Sequence, residues 1–267
     1  MARANRHYIP GYAWHITHRC HKKEFLLKFS RDRHRWVQWL YAARKRYGLV
    51  ILNYTVTSNH VHLLVIDTDQ NAIPQSMQLI AGRTAQEYNQ RKNRRGAFWE
   101  DRYHATAVQT DRHLLSCMIY IDLNMVRTGV VKHPSEWKTG GYNEIIHPPE
   151  RYARIDQSRL QNILGFSDRE TFSRTYSQLV DETIENNSLQ RQEAWTESIA
   201  VGTKEFISET KRNMASSSIG RTIHKRNGMF ELRESSASYS AHFDPKRYVL
   251  RPENTYLWNI YDDMSAS

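Results

Sequence analysis

Two histidines and one tyrosine have the types and spacing to do chemistry. His60 and His62 stand two apart in Ser58-Asn59-His60-Val61-His62-Leu63-Leu64-Val65. Successive side chains of a strand point to opposite faces, so both imidazoles share one face while Val61, Leu63 and Val65 take the other. Such a pair can chelate one metal ion while the residue between them anchors the strand. Equally, both can be ordinary polar groups on a solvated face, because His-x-His alone is a common pattern. Tyr120 lies in a stretch, 112–127, where His113, Cys117, Tyr120, Asn124 and Arg127 form a polar stripe at helical spacing. Leu114, Met118, Ile121 and Met125 form an apolar stripe that the helix can bury. A tyrosine near a divalent cation and basic residues can lose its proton and attack phosphorus. Asn124, one turn on, can offer a carbonyl oxygen to the same metal. The alternative is a Tyr120 whose ring packs and whose hydroxyl meets solvent, and pattern alone favours it.

These residues need a frame. Residues 12–20 are aromatic and β-branched and predict a strand. Ser30–Tyr47 predicts a helix with Trp36, Leu40 and Ala43 on one stripe and Gly48 as its stop. Residues 49–57 and 60–66 predict two strands joined at Ser58-Asn59. Pro74 opens an amphipathic run to Gln90, closed by the basic knot Arg91-Lys92-Asn93-Arg94-Arg95-Gly96. Residues 103–109 predict a strand, and Asp111 caps the helix that carries Tyr120. The order β-α-β-β-α-β-α is that of an α+β, ferredoxin-like antiparallel sheet with packed helices. Ile146-His147-Pro148-Pro149 marks a boundary, which divides the chain into domains 1–147 and 148–267. In the second, residues 155–185 and 192–214 predict helices, for a mainly helical extension. Residues 216–267, Ser-rich over 235–240, are weakly patterned and read as loosely docked.

Charge separates the two parts. Residues 1–147 hold 22 Lys and Arg against 11 Asp and Glu, whereas residues 148–267 hold 16 against 17. The excess positive charge therefore sits in the first part and points to a polyanion, since each phosphate contact releases condensed counterions. A basic surface kept for solubility is the plainer alternative. No run of 18 apolar residues exists for a membrane span, and no apolar stretch follows the basic start as in a secretory signal. Two cysteines, Cys20 and Cys117, make no disulfide framework, and a reducing cytoplasm is the expected compartment. His15, His18, Cys20 and His21 hint at zinc, but no second cysteine pair stands at finger spacing. They read as a polar strand edge near DNA, and His104 and His113 as structural or phosphate-facing.

Taken together, these segments resemble the single-tyrosine HUH transposases, most of all the REP-associated tyrosine transposases. The resemblance rests on Asn59-His60-Val61-His62-Leu63-Leu64, on Phe98-Trp99-Glu100-Asp101-Arg102-Tyr103, and on the run from Tyr120 to Val130 followed by Trp137. Gly11-Tyr12-Ala13-Trp14-His15-Ile16-Thr17 is similar to the family's first strand. Met125 departs from the family's usual proline, and the turn at Ser58-Asn59 also lacks one. Neither departure removes a chemical group.

The resemblance implies an HUH catalytic domain over residues 1–147. It implies that His60, His62 and Asn124 are ligands of Mg²⁺ or Mn²⁺ and that Tyr120 is the nucleophile. Cleavage would leave a 5′-phosphotyrosine link and a free 3′-hydroxyl, and reversal would join strands without ATP. The implied partner is single-stranded DNA beside a palindromic repeat folded as a hairpin. Candidate DNA contacts are Arg19, Lys22, Lys23, Arg31, Arg33, Arg35, Arg91, Lys92, Arg94, Arg95, Arg102 and Arg127. Trp14, Phe98 and Tyr103 are candidate stacking platforms, with core packing the alternative for each. A monomer and a homodimer both stay open, as does use of Tyr120 within its own chain or across to a partner. The competing reading is a catalytically silent, domesticated protein that binds repeat DNA. An RNA-recognition domain is disfavoured, because the Lys/Arg-Gly-Phe pattern is missing.

Overall fold

Alternation of apolar residues lays down four strands that pair as their order predicts. The computed structural model describes residues 8–68, 71–214, 220–226 and 228–234. In it β1 (Ala13–Arg19), β2 (Val50–Val56), β3 (His60–Ile66) and β4 (His104–Val108) form an antiparallel sheet in the order β2-β3-β1-β4. Helix α1 (Ser30–Tyr47) joins β1 to β2 and α2 (Ala72–Arg91) joins β3 to β4. This is the ferredoxin-like arrangement, and the fold is α+β. Helix α1 stops where Gly48 turns left-handed at φ 66° and its N–H caps the Arg44 carbonyl at 3.0 Å, a conformation that other residues adopt only with strain.

The pairing register sorts the side chains. His62 lies opposite Thr17 and His60 opposite Arg19, while His15 lies opposite Leu64 and Thr106. Paired residues share a face, so His15, Thr17, Arg19, His60, His62, His104 and Thr106 line one polar side of the sheet. Val61, Leu63 and Val65 point the other way and are fully buried, in one core with Trp36, Leu40, Met77 and Ile80. Strand β1 is an interior strand between β3 and β4, which corrects the reading of His15, His18 and Cys20 as a polar edge. All three are buried, although Arg19 at the end of the same strand is exposed.

The extension is richer than a set of helices. Helices α6 (Gln157–Leu164), α7 (Arg169–Glu185), α8 (Ala194–Glu197) and α9 (Lys204–Asn213) follow the short α4 (Asn124–Arg127) and α5 (Tyr142–Ile146). Between α8 and α9 runs β5 (Ala200–Gly202), and a hairpin of β6 (Arg221–Arg226) and β7 (Met229–Glu234) comes after. β5 pairs parallel with β4 and antiparallel with β7, which extends the sheet to seven strands in the order β2-β3-β1-β4-β5-β7-β6. Three residues are too few for β5 to show a period, and β6 is exposed over nearly its whole length, so neither carries the apolar alternation that reveals a strand. Residues 235–267, including the Ser-rich stretch, lie outside the described residues.

The helix that bears Tyr120 is held from both ends. It runs as α3 (Arg112–Asp122), with the Asp111 carboxylate accepting from the His113 N–H at 2.8 Å as the cap. One continuous helix to Arg127 is expected from the sequence, but the chain breaks at Leu123 before α4. On α3, Asp122 is buried and accepts from the Tyr176 hydroxyl of α7 at 2.5 Å, and Asn53 of β2 donates to the Met118 carbonyl at 3.3 Å. Burial raises the Asp122 carboxyl to about 7. Tyr176→Phe should cost about 1–3 kcal/mol by stranding that carboxyl, measured as a fall in the urea midpoint. An unchanged midpoint would mean that α7 does not hold α3 through this contact.

Candidate active site

On the polar side of the sheet the histidine pair closes up. The His60 and His62 rings lie 4.9 Å apart between centroids, at 78° to one another. The turn before β3 orients His60. Its Nδ1 lies 2.7 Å from Asn59 Oδ1 and 3.0 Å from Thr57 Oγ1, and the Thr57 hydroxyl donates to the His60 carbonyl at 2.8 Å. An amide oxygen only accepts, so Nδ1 carries the proton and Nε2 keeps its lone pair. His62 places Nε2 at 3.0 Å from Nδ2 of Asn124 and Nδ1 at 2.9 Å from Nε2 of His15.

Helix α3 brings the tyrosine over this pair. The Tyr120 ring centroid is 6.0 Å from that of His62, and the two rings are nearly perpendicular. Arg127 lies over the other ring face at 4.3 Å and is fixed by bonds from its guanidinium to the Leu189 and Tyr120 carbonyls. Burial raises the Tyr120 pKa, while Arg127 and Arg191 draw it back down. The phenol is only 6% exposed, yet it lines a cavity of about 400 Å³ together with His60, His62, Asn124, Arg19 and Arg191. Four arginines, Arg19, Arg102, Arg127 and Arg191, share the lining with three carboxylates, Glu100, Asp101 and Glu197, and Arg191 is paired with Glu197 at 3.1 Å.

Burial keeps the floor uncharged. It is the main reason that His60 titrates at about 4 and His15 at about 3, and it also lowers His62 well below the ordinary 6.5. The nearby Arg19, Arg191 and Arg127 lower His60 further. Neutral imidazoles are the form that binds metals. Among the described residues no group of three or more His, Cys, Asp or Glu side chains is placed to hold a metal ion. A further ligand to the pair must then come from another donor type, such as an amide oxygen. Asn124 Oδ1 is buried with no hydrogen-bond partner while its Nδ2 faces His62 Nε2 at 3.0 Å; with the amide turned over, two nitrogens and an oxygen form a donor set that fits a divalent cation.

The other predicted residues divide. Arg102 lines the cavity with Arg19 and Arg127. Lys22 and Lys23 occupy the turn after β1 and are exposed, as are Arg31, Lys92 and Arg95. Arg35 is paired with Glu87, Arg91 with Asp32 and Arg94 with Glu24, while Arg33 donates to the Leu27 carbonyl and covers Trp137. Trp14 and Phe98 are buried at 5% and 2% exposure, so core packing is what these two aromatics do. Tyr103 is half-buried, with the Tyr8 hydroxyl donating to its own at 3.0 Å. His104 lies 2.9 Å from the Ser198 carbonyl, and His113 is tied to Asp111. Sequence reasoning missed His15, Arg191 and Glu197. Only contacts between distant segments reveal them, and no spacing could have.

A ferredoxin-like sheet thus sets a histidine pair beneath a helix-borne tyrosine in one cavity. Residues 9–124 match the family model of IS200-like transposases, which covers less than half of the chain. A solved structure of a REP-associated tyrosine transposase bound to a REP hairpin aligns at 17% identity, over 55% of this chain and 87% of its own, with a TM-score of 0.47. A transposase candidate from Deinococcus radiodurans R1 aligns at 19% identity, over 40% of this chain and 86% of its own, with a TM-score of 0.32. No curated protein matches the chain.

The neutral floor has a thermodynamic signature. As pH falls below 6.5 the unfolded chain takes up protons that the folded histidines refuse. Stability is therefore full above pH 6.5 and drains away toward about 4 for His60 and about 3 for His15. In chelator-treated protein, urea unfolding should show a loss of up to roughly 1.4 kcal/mol per pH unit for each buried histidine. A flat profile between pH 6.5 and 4 would contradict this.

Proposed function

We propose that the protein is a single-strand DNA endonuclease and strand-transferase that cuts beside hairpin or palindromic repeats with Tyr120 as its nucleophile, acting in the cytoplasm. The observation that carries this reading is the approach of the Tyr120 ring to within 6.0 Å of His62 inside one cavity that His60, Asn124 and four arginines also line. A bare histidine pair or a lone tyrosine would not support it.

His60 Nε2, His62 Nε2 and Asn124 Oδ1 would hold Mg²⁺ or Mn²⁺. When bound, the ion supplies Lewis-acid polarisation of a non-bridging oxygen of the scissile phosphate. The chain's own groups do the rest. Arg127 and Arg191 favour the phenolate against the cost of burial, and Arg19 and Arg102 stand at the cavity wall to take up the strand's phosphates. Tyr120 Oη forms a bond to phosphorus as the 3′-oxygen bond breaks, and the phenolic proton ends on the departing 3′-hydroxyl. One phosphodiester replaces another, so the link is conserved and a second 3′-hydroxyl can reverse the step. The sequence resemblance supports hairpin DNA as the substrate class.

Labelled single-stranded hairpin oligonucleotides incubated with the protein and Mn²⁺ should yield a covalent adduct stable to denaturation. Tyr120→Phe should abolish the adduct while leaving hairpin affinity within about fivefold, since one hydrogen bond is worth about 1 kcal/mol. His60→Ala should remove metal-dependent cleavage. Continued cleavage by the Phe variant would rule out Tyr120 as nucleophile. Tight hairpin binding with no adduct from the unaltered protein would instead favour a silent DNA-binding role.

A further inference from the structure

His15 takes no part in the chemistry above, yet it is wholly buried on interior strand β1 and joins His62 to the extension. Its Nδ1 lies 2.8 Å from the Trp195 backbone carbonyl and its Nε2 lies 2.9 Å from His62 Nδ1. The two imidazoles stack at 11° with centroids 5.1 Å apart, so each ring restricts the other. A carbonyl oxygen can only accept a hydrogen bond, and this sets a direction. The His15 proton must sit on Nδ1. In a neutral ring Nε2 is then bare and can only accept, so His62 Nδ1 must carry a proton and donate it. His62 Nε2 keeps its lone pair, which accepts from Asn124 Nδ2 at 3.0 Å and is open to a cation once that amide turns over. Each bond in the series dictates the next, and the series starts at a main-chain atom of the extension.

We propose that the Trp195 carbonyl and His15 fix the tautomer and orientation of His62, so that its Nε2 is presented to a divalent cation and residues 148–234 are a working part of the metal site. His15 is a positioning residue in this scheme and touches neither metal nor DNA. An outer partner of this kind governs ligand orientation, and losing one typically weakens metal binding 10- to 100-fold. The proposal rests on the reading of His60, His62 and Asn124 as metal ligands. Its first half, the tautomer, stands apart from that reading.

The test uses the full chain with histidine labelled in ¹⁵N. In chelator-treated protein, long-range ¹H–¹⁵N correlation spectra should show His62 protonated at Nδ1 and bare at Nε2. His15→Phe, which fills the space and removes the acceptor, should shift His62 toward the opposite tautomer or a mixture. The same variant should bind Mn²⁺ about 10- to 100-fold more weakly, by electron paramagnetic resonance of the free ion. His15→Gln, which keeps an acceptor oxygen within reach of His62, should recover affinity to within a few fold, a rescue that loss of packing would not give. A His62 protonated at Nε2 in the unaltered protein would overturn the proposal, and that measurement needs no variant to fold. So would a His15→Phe protein that binds Mn²⁺ as tightly as the parent. If the parent binds no Mn²⁺ in a manner that His60→Ala abolishes, the metal reading itself fails, while the spectrum still judges the tautomer.

Discussion

A strand can show two polar groups to the same side only by placing them two residues apart, and only if the residues between hold it in a core. Everything else about this site follows from that constraint at His60 and His62. Val61, Leu63 and Val65 are fully buried on the far side, so the histidines cannot turn away without exposing the core. With β3 fixed, β1 and β4 bring His15, Thr17, His104 and Thr106 to the same side by register alone. The result is a polar sheet face in the middle of the molecule, a costly thing to bury unless each group finds a partner. The chain supplies those partners from the turn at Thr57 and Asn59, from Asn124, and from the backbone around Trp195 and Ser198.

Charge is arranged in layers. Burial disfavours the charged form of His15, His60 and His62, and the wall around them carries Arg19, Arg102, Arg127 and Arg191 interleaved with Glu100, Asp101 and Glu197. Arg19, Arg127 and Arg191 disfavour a protonated His60, so wall and floor reinforce one another.

Much of this was legible in the residues. The βαββαβ order, the start and stop of α1 and the shared face of His60 and His62 all follow from local periods and caps, which depend only on near neighbours. The place of Tyr120 and Asn124 on one helical stripe was legible too, although the break at Leu123 was not. What escaped depends on distant segments. His15 lies 180 residues from Trp195, its bonding partner, and nothing in the pattern of 12–20 marks it apart from His18. Arg191 sits in a stretch with no period. Trp14 and Phe98 read equally as platforms or as core, because an aromatic ring buries or stacks with the same surface, and only the packing decides.

The contact between His15 and residue 195 has a peculiarity that bears on how this protein can vary. The group that His15 meets is a main-chain oxygen, which every amino acid possesses. Exchanging the side chain at 195 leaves that oxygen in existence, whereas inserting or deleting one residue between α7 and β5 would carry it out of line. The connection between those elements is thus constrained in length and path more tightly than in composition, and lineages of this protein should differ there by replacement and rarely by gaps.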